Sequence, residues 1–107
     1  MKQTLTLLLC AFFLQAADTA NGKRLFEKDG CYQCHGHFGQ GGIAGPRLAQ
    51  TKLPEAAFIA FVRNPSSSNM PPFRAKVLSD QDLADIYAYI KTFPEPKPAK
   101  DIPLLNP

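Results

Sequence analysis

Two thiols and an imidazole fall within five consecutive residues, Cys31-Tyr32-Gln33-Cys34-His35. This C-x-x-C-H spacing lets one helical turn present both sulfurs along one edge of a porphyrin while the histidine turns beneath its metal. Each sulfur can add to one vinyl group as a thioether, and the histidine nitrogen can then reach the iron as an axial ligand. The pattern points to a single covalently attached haem c, held by Cys31 and Cys34, with His35 as one metal ligand. A spacing changed by one residue would spoil this arrangement.

Two other chemistries use thiols at such a spacing. A zinc site built from Cys31, Cys34 and His37 wants a fourth ligand, and apart from Cys10 near the start the chain has no further cysteine and no histidine outside this cluster. A redox dithiol of the thioredoxin kind wants a strand before it and a helix after it. The flanks here are instead a charged helix former, Lys23 to Lys28, and a glycine-rich loop.

Six-coordinate iron needs a second ligand on the face opposite His35. His37 is two residues away and held on the same side of the ring. Met1 lies in a leader-like segment, so Met70 is the methionine left to serve. It stands in Ser66-Ser67-Ser68-Asn69-Met70-Pro71-Pro72-Phe73, where prolines stiffen the backbone and serine and asparagine can hydrogen-bond the loop. A soft, neutral thioether favours ferrous over ferric iron and raises the potential, which suits electron transfer. The competing role for Met70 is to fill a gap in the core.

Gly36, Gly39, Gly41, Gly42 and Gly45 lead into Pro46-Arg47-Leu48, and glycines let a backbone pass close to a porphyrin. The second ring nitrogen of His35 needs a partner to fix the imidazole, and a backbone carbonyl near Pro46 is the candidate. Arg47 either hydrogen-bonds a haem propionate or is solvated.

The elements that must position these groups read as helices. The first is expected from Asp18 or Thr19, both good N-caps, through Leu25 and Phe26 into the cysteine motif. The second follows Pro54 as its first helical residue, carries Phe58, Phe61 and Val62 on one side, and stops at Asn64-Pro65. The third is capped by Ser79 with Asp82 three residues on, repeats Leu83, Ile86, Tyr87 and Ile90 at helical spacing, and is expected to end near Phe93. No segment alternates like a half-buried strand. The fold class is therefore all-α, with three main helices packed around one haem in a domain over 18–93. Residues 94–107 hold five of the ten prolines and are expected to form an extended or loosely ordered tail.

Residues 1–17 read as a secretory signal peptide: Lys2 is basic, Leu5 to Leu14 is apolar, and Ala16-Ala17 closes the segment before Asp18. The apolar run is about half of the ~20 residues a spanning helix needs, so no permanent membrane anchor is expected. The expected location is the periplasm, since c-type haem is joined outside the cytoplasm. About ninety residues then remain, one small domain that buries little core by itself, and a large apolar macrocycle would complete that core. Without Lys2, the twelve basic residues become eleven against nine acidic ones, a charge the haem propionates nearly cancel. That balance gives no footprint for nucleic acid.

Gly22 with Phe26, C-x-x-C-H at 31–35, Gly45-Pro46-x-Leu48, and Met70 followed by proline occur in the order found in bacterial class I cytochromes c, which the chain resembles over nearly its whole length after the leader. Ala84 to Ile90 is similar to the closing helix of that family, which crosses the first helix. The resemblance implies a class I cytochrome c fold in which Tyr89 and Ile86 pack on Gly22 and Phe26. It also implies His35 through Nε2 and Met70 through its sulfur as axial ligands, with the Pro46 carbonyl accepting from His35.

By that resemblance one haem edge reaches the surface beside Tyr32, Gln33, Ile43, Ala44, Pro71 and Pro72. This patch is mostly uncharged, so modest salt dependence of partner reduction is expected; a steep one would point to Lys28, Lys52 and Lys76. The implied function is electron carriage and not enzymatic catalysis, with redox proteins as partners: a periplasmic dehydrogenase as donor and an oxidase or another cytochrome as acceptor. The stretch Leu53 to Ile59 with Val62-Arg63-Asn64 also looks like the small cytochrome subunit of p-cresol methylhydroxylase-type flavocytochromes, which makes a dehydrogenase-bound subunit the alternative. A gas-binding haem protein with an open iron position is opposed by Met70.

Overall fold

The computed structural model describes residues 16–107, so the expected leader, apart from Ala16 and Ala17, lies outside the described residues. Four α-helices follow in order, α1 (Thr19–Lys28), α2 (Cys31–His35), α3 (Glu55–Arg63) and α4 (Asp80–Ile90), and two single 3₁₀ turns close the chain at Ala99–Asp101 and Pro103–Leu105. There is no strand among the described residues, and the fold is the all-α one expected.

Asp18 caps α1, its carboxylate accepting from the Asn21 amide, and Gly22, Leu25 and Phe26 form the buried face at i, i+3, i+4. The first helix does not run into the cysteine motif as expected. It stops at Lys28, and Gly30 takes a left-handed φ of 77°, which breaks the helical path before α2 begins. Only glycine adopts that conformation without a steric penalty, so the motif forms a turn of its own with its own direction.

Pro54 stands just outside α3 as its N-cap and not as its first helical residue; its carbonyl accepts the Phe58 amide at 3.0 Å. At α4 the reciprocal cap is complete: Ser79 Oγ accepts the Asp82 amide at 3.0 Å and the Asp82 carboxylate accepts the Ser79 amide at 3.1 Å. The helix ends at Ile90, three residues before the expected end. Beyond it the chain turns, with the Phe93 amide bonded to the Ile90 carbonyl, and brings Phe93 edge-on to Phe26 and Tyr89 at 5.5 and 4.8 Å. Packing of that ring outweighs continuation of the helix.

The α1–α4 crossing organises the molecule. A Cβ on Gly22 would overlap the Asp85 carbonyl oxygen and stand 2.9 Å from Tyr89 Cβ, so the two backbones meet only because position 22 has no side chain. Phe26 packs edge-on to Tyr89 at 5.5 Å beside this contact. Asp85 is 4 % exposed and satisfies its carboxylate across the crossing, accepting from the Asp18 amide (2.8 Å) and Asn21 Nδ2 (2.8 Å), as well as from Gln81 Nε2 (3.0 Å). Leu25, Phe26, Phe58, Val62, Leu78, Leu83, Ile86, Ile90 and Phe93 make one contiguous core.

The tail is more ordered than expected. Its two 3₁₀ turns pack on each other, and Asn106 Nδ2 donates to the carbonyls of Ala99 (2.8 Å) and Ile102 (3.0 Å). Among the described residues no helix is long and apolar enough to cross a membrane.

Candidate functional site

Glycine brackets α2 at both ends: Gly30 accepts the Gln33 amide at 3.0 Å, and Gly36 donates to the Tyr32 carbonyl at 2.8 Å. In that single turn Cys31 is half-buried and Cys34 exposed. Burial, reinforced by the charge of Asp29, pushes the Cys31 thiol up to about 11. A thiol that stays protonated at neutral pH is the reverse of the acidic, thiolate-bearing cysteine of a redox dithiol.

His35 is 8 % exposed, and its Nδ1 donates to the Pro46 carbonyl at 2.7 Å. In the neutral ring that bond places the proton on Nδ1, which leaves the Nε2 lone pair for a metal. The chain brings Pro46 to this point through Gly45, where a Cβ would stand 2.9 Å from the Cys34 carbonyl oxygen and 3.2 Å from His35 Cε1. The Gly41 amide holds the start of the same loop by donating to the His35 carbonyl at 2.8 Å.

Beside α2 opens a cleft with two lobes, of about 290 and 450 Å³, and Cys31, His35, Pro46, Phe61, Met70 and Phe73 border both. The inner lobe is walled by apolar side chains from every long helix, among them Phe26, Phe58, Val62, Leu83 and Ile86. Cys34, Gln33, Ile43, Ala44 and Pro71 rim the outer lobe, where Ile43 is fully exposed. Each lobe approaches or exceeds the lower bound of roughly 300 Å³ for a small-molecule site. Two thiols, one oriented imidazole and one thioether bordering a single apolar cleft are a donor set that fits a covalently bound haem.

Arg47 also borders the inner lobe, but its Nε donates to the Ala49 carbonyl at 3.0 Å, which folds the side chain back along its own loop. His37 lies exposed and stacks on Tyr32, ring centroids 4.5 Å apart. Among the described residues no three His, Cys, Asp or Glu side chains converge on a point, so the alternative of a zinc site at Cys31, Cys34 and His37 has no geometry to support it. Sequence reading passed over Arg63, whose guanidinium meets three acceptors around the Met70 loop. It entered the sequence reading only within the Val62-Arg63-Asn64 stretch, and a basic residue in the last turn of α3 is common at helix ends for dipole reasons alone.

Residues 17–90 match the family model described as cytochrome C oxidase, cbb3-type, subunit III. The chain is 33 % identical over 75 residues to cytochrome c-555 of Methylococcus capsulatus (strain ATCC 33009 / NCIMB 11132 / Bath), an alignment covering 68 % of this chain. It spans 60 % of the length of that relative. No solved structure matches.

Proposed function

The chain belongs to the cytochrome c family as a class I c-type cytochrome, and from that premise we propose that it carries single electrons in the periplasm, taking them from a dehydrogenase and passing them to an oxidase or another cytochrome. One observation carries the reading: the imidazole that Pro46 orients shares one apolar cleft with both thiols and with Met70. Bound there, a haem supplies an iron that alternates between ferric and ferrous states. Cys31 and Cys34 would tether it as thioethers, His35 Nε2 and the Met70 sulfur would hold its iron, and Pro46 keeps the imidazole from turning.

The rest of the work of the chain is exclusion and rigidity. Phe26, Phe58, Val62, Leu83 and Ile86 keep water from the inner lobe. A dry, packed wall lowers the local dielectric and leaves little to rearrange when the charge of the site changes. The outer rim, uncharged at Gln33, Ile43, Ala44 and Pro71 and charged only at Asp29, offers a docking face to a redox protein, which supports weak salt dependence of partner reduction. The leader over residues 1–17, cleaved on export, accounts for the location. A second reading, a subunit seated in a flavin-dependent dehydrogenase, rests on the stretch Leu53 to Ile59 with Val62-Arg63-Asn64. Gel filtration from the native cell separates the two, because a subunit co-elutes with a much larger partner.

The test of the main reading is intact mass and the ferric absorption spectrum. The mature protein is expected to weigh one haem more than its polypeptide and to show the far-red band of an iron–sulfur bond. Colourless protein at the bare polypeptide mass refutes the reading.

A further inference from the structure

We infer that Arg63 is the positioning residue that sets where the Met70 thioether sits, an inference that rests on Met70 being an iron ligand. Within 64–72 the chain holds itself with little: the Asn64 amide completes α3, and the Asn69 amide donates to Ser67 Oγ at 3.2 Å. The place of Met70 is therefore decided where the loop is fastened. On leaving the loop, the Phe73 amide donates to the Val62 carbonyl at 3.1 Å. The neighbouring Arg63 sends Nη1 to the carbonyls of Phe73 (3.0 Å) and Leu78 (2.6 Å), and Nη2 to Asp80 Oδ1 (2.7 Å).

One planar side chain thus ties the last turn of α3 to the segment leaving Met70 and to the start of α4. Bonds from a cation to carbonyls are stronger than neutral ones, and the rigid planar fork of a guanidinium holds its three acceptors in fixed directions. Arg63 does not border either lobe of the cleft, so it acts on the site through the segment it fastens, which carries Met70 and Phe73 into the cleft wall. Asp80 is the lesser partner. Its side chain is 82 % exposed against 18 % for Arg63, and such a pair is weakened by solvent. The two carbonyls, which lose their donor when Arg63 is replaced, carry the effect.

Free imidazole competes with a thioether for ferric iron, so its Kd on the haem-loaded protein reports how firmly the loop holds its sulfur. Arg63→Met is expected to tighten imidazole binding by about ten- to a hundredfold, the factor matching loss of charge-assisted hydrogen bonds, and to weaken the far-red band. Arg63→Lys is expected to fall between, and Asp80→Asn to stay within about twofold of the parent. Gly22→Ala serves as the reference, because it loosens the α1–α4 crossing and is expected to lower stability with imidazole affinity unchanged. A lower Tm in Arg63→Met with parental imidazole Kd and band overturns the inference and leaves Arg63 a purely structural residue. If Arg63→Met fails to retain haem, a parental Kd in Arg63→Lys overturns it equally. Failure of the underlying ligand assignment looks different: the parent protein itself lacks the far-red band, or Met70→Ala leaves imidazole affinity unchanged.

Discussion

Replacing Gly22 with alanine sets two physical effects of opposite sign against each other. Position 22 is inside a helix, where alanine is better than glycine by about 1 kcal/mol, so local propensity alone makes Gly22→Ala stabilising. The crossing says otherwise. The added Cβ would stand 2.5 Å from the Asp85 carbonyl carbon and 2.9 Å from Tyr89 Cβ, whereas ordinary contact begins at 3.4 Å. Because the obstacle is backbone and the Asp85 oxygen is nearer still, α1 and α4 must part by at least the difference of 3.4 and 2.5, about 0.9 Å. A gap of that size forfeits a quarter to a half of the dispersion energy of each contact it opens, including Phe26 on Tyr89. It also stretches the bonds from the Asp18 amide and Asn21 to the buried Asp85 carboxylate. Overpacking of this kind costs about 1–3 kcal/mol and weakening a buried hydrogen bond about 1 more, so after the propensity gain the net loss is about 2 kcal/mol. For a domain of this size that lowers Tm by about 8–16 °C. Urea unfolding of the haem-loaded protein, followed by helical circular dichroism, measures it as a lower midpoint at constant slope. A variant as stable as the parent, or more so, refutes the claim that the crossing is closed by direct backbone contact.

Three further perturbations reach other parts of the argument. Met70→Ala is expected to abolish the far-red ferric band and to lower the reduction potential by on the order of 0.1 V, a part of the ~0.8 V that axial ligation spans; potentiometric titration reads this, and retention of both signals removes Met70 from the iron. Burial pushes the Asp85 carboxyl upward, but hydrogen bonds from the Asp18 amide, Asn21 and Gln81 outweigh it and hold the group below its ordinary 3.8. A depressed folded value means that its stabilisation is present above pH 4 or so and is lost as pH falls through the folded value, so Tm against pH is expected to have a shallower acid limb in Asp85→Asn than in the parent. Ser79→Ala removes half of the reciprocal cap on α4 and is expected to cost about 1 kcal/mol, seen as a lower urea midpoint with the ferric spectrum unchanged.

The site was legible in proportion to how local its chemistry is. Cys31, Cys34 and His35 act through a five-residue spacing, and the Ser79–Asp82 cap through a four-residue one, so both can be read without knowing where the rest of the chain goes. Pro46 could be nominated because an imidazole must have a partner and glycine brings the chain near it; the 2.7 Å bond across eleven positions belongs to the fold. Element ends were less legible. The break at Gly30 depends on which of two allowed conformations a glycine takes, and the stop at Ile90 depends on where Phe93 finds its aromatic neighbours. The tail was read as extended because proline removes helix donors, while the bonds of Asn106 that fold it into two turns leave no composition signal.

By itself, then, the order of residues pointed to the cofactor chemistry and determined the all-α class and the cap that starts α4, because each follows from side chains within a few positions of one another. Only the tertiary structure decided that Gly22 must be bare, that Asp85 is buried yet satisfied, and that Arg63 fastens the Met70 loop. Those three depend on backbone carbonyls and amides brought together from ten to nearly seventy positions apart, and every residue carries the same amide, so no residue type announces the contact in advance.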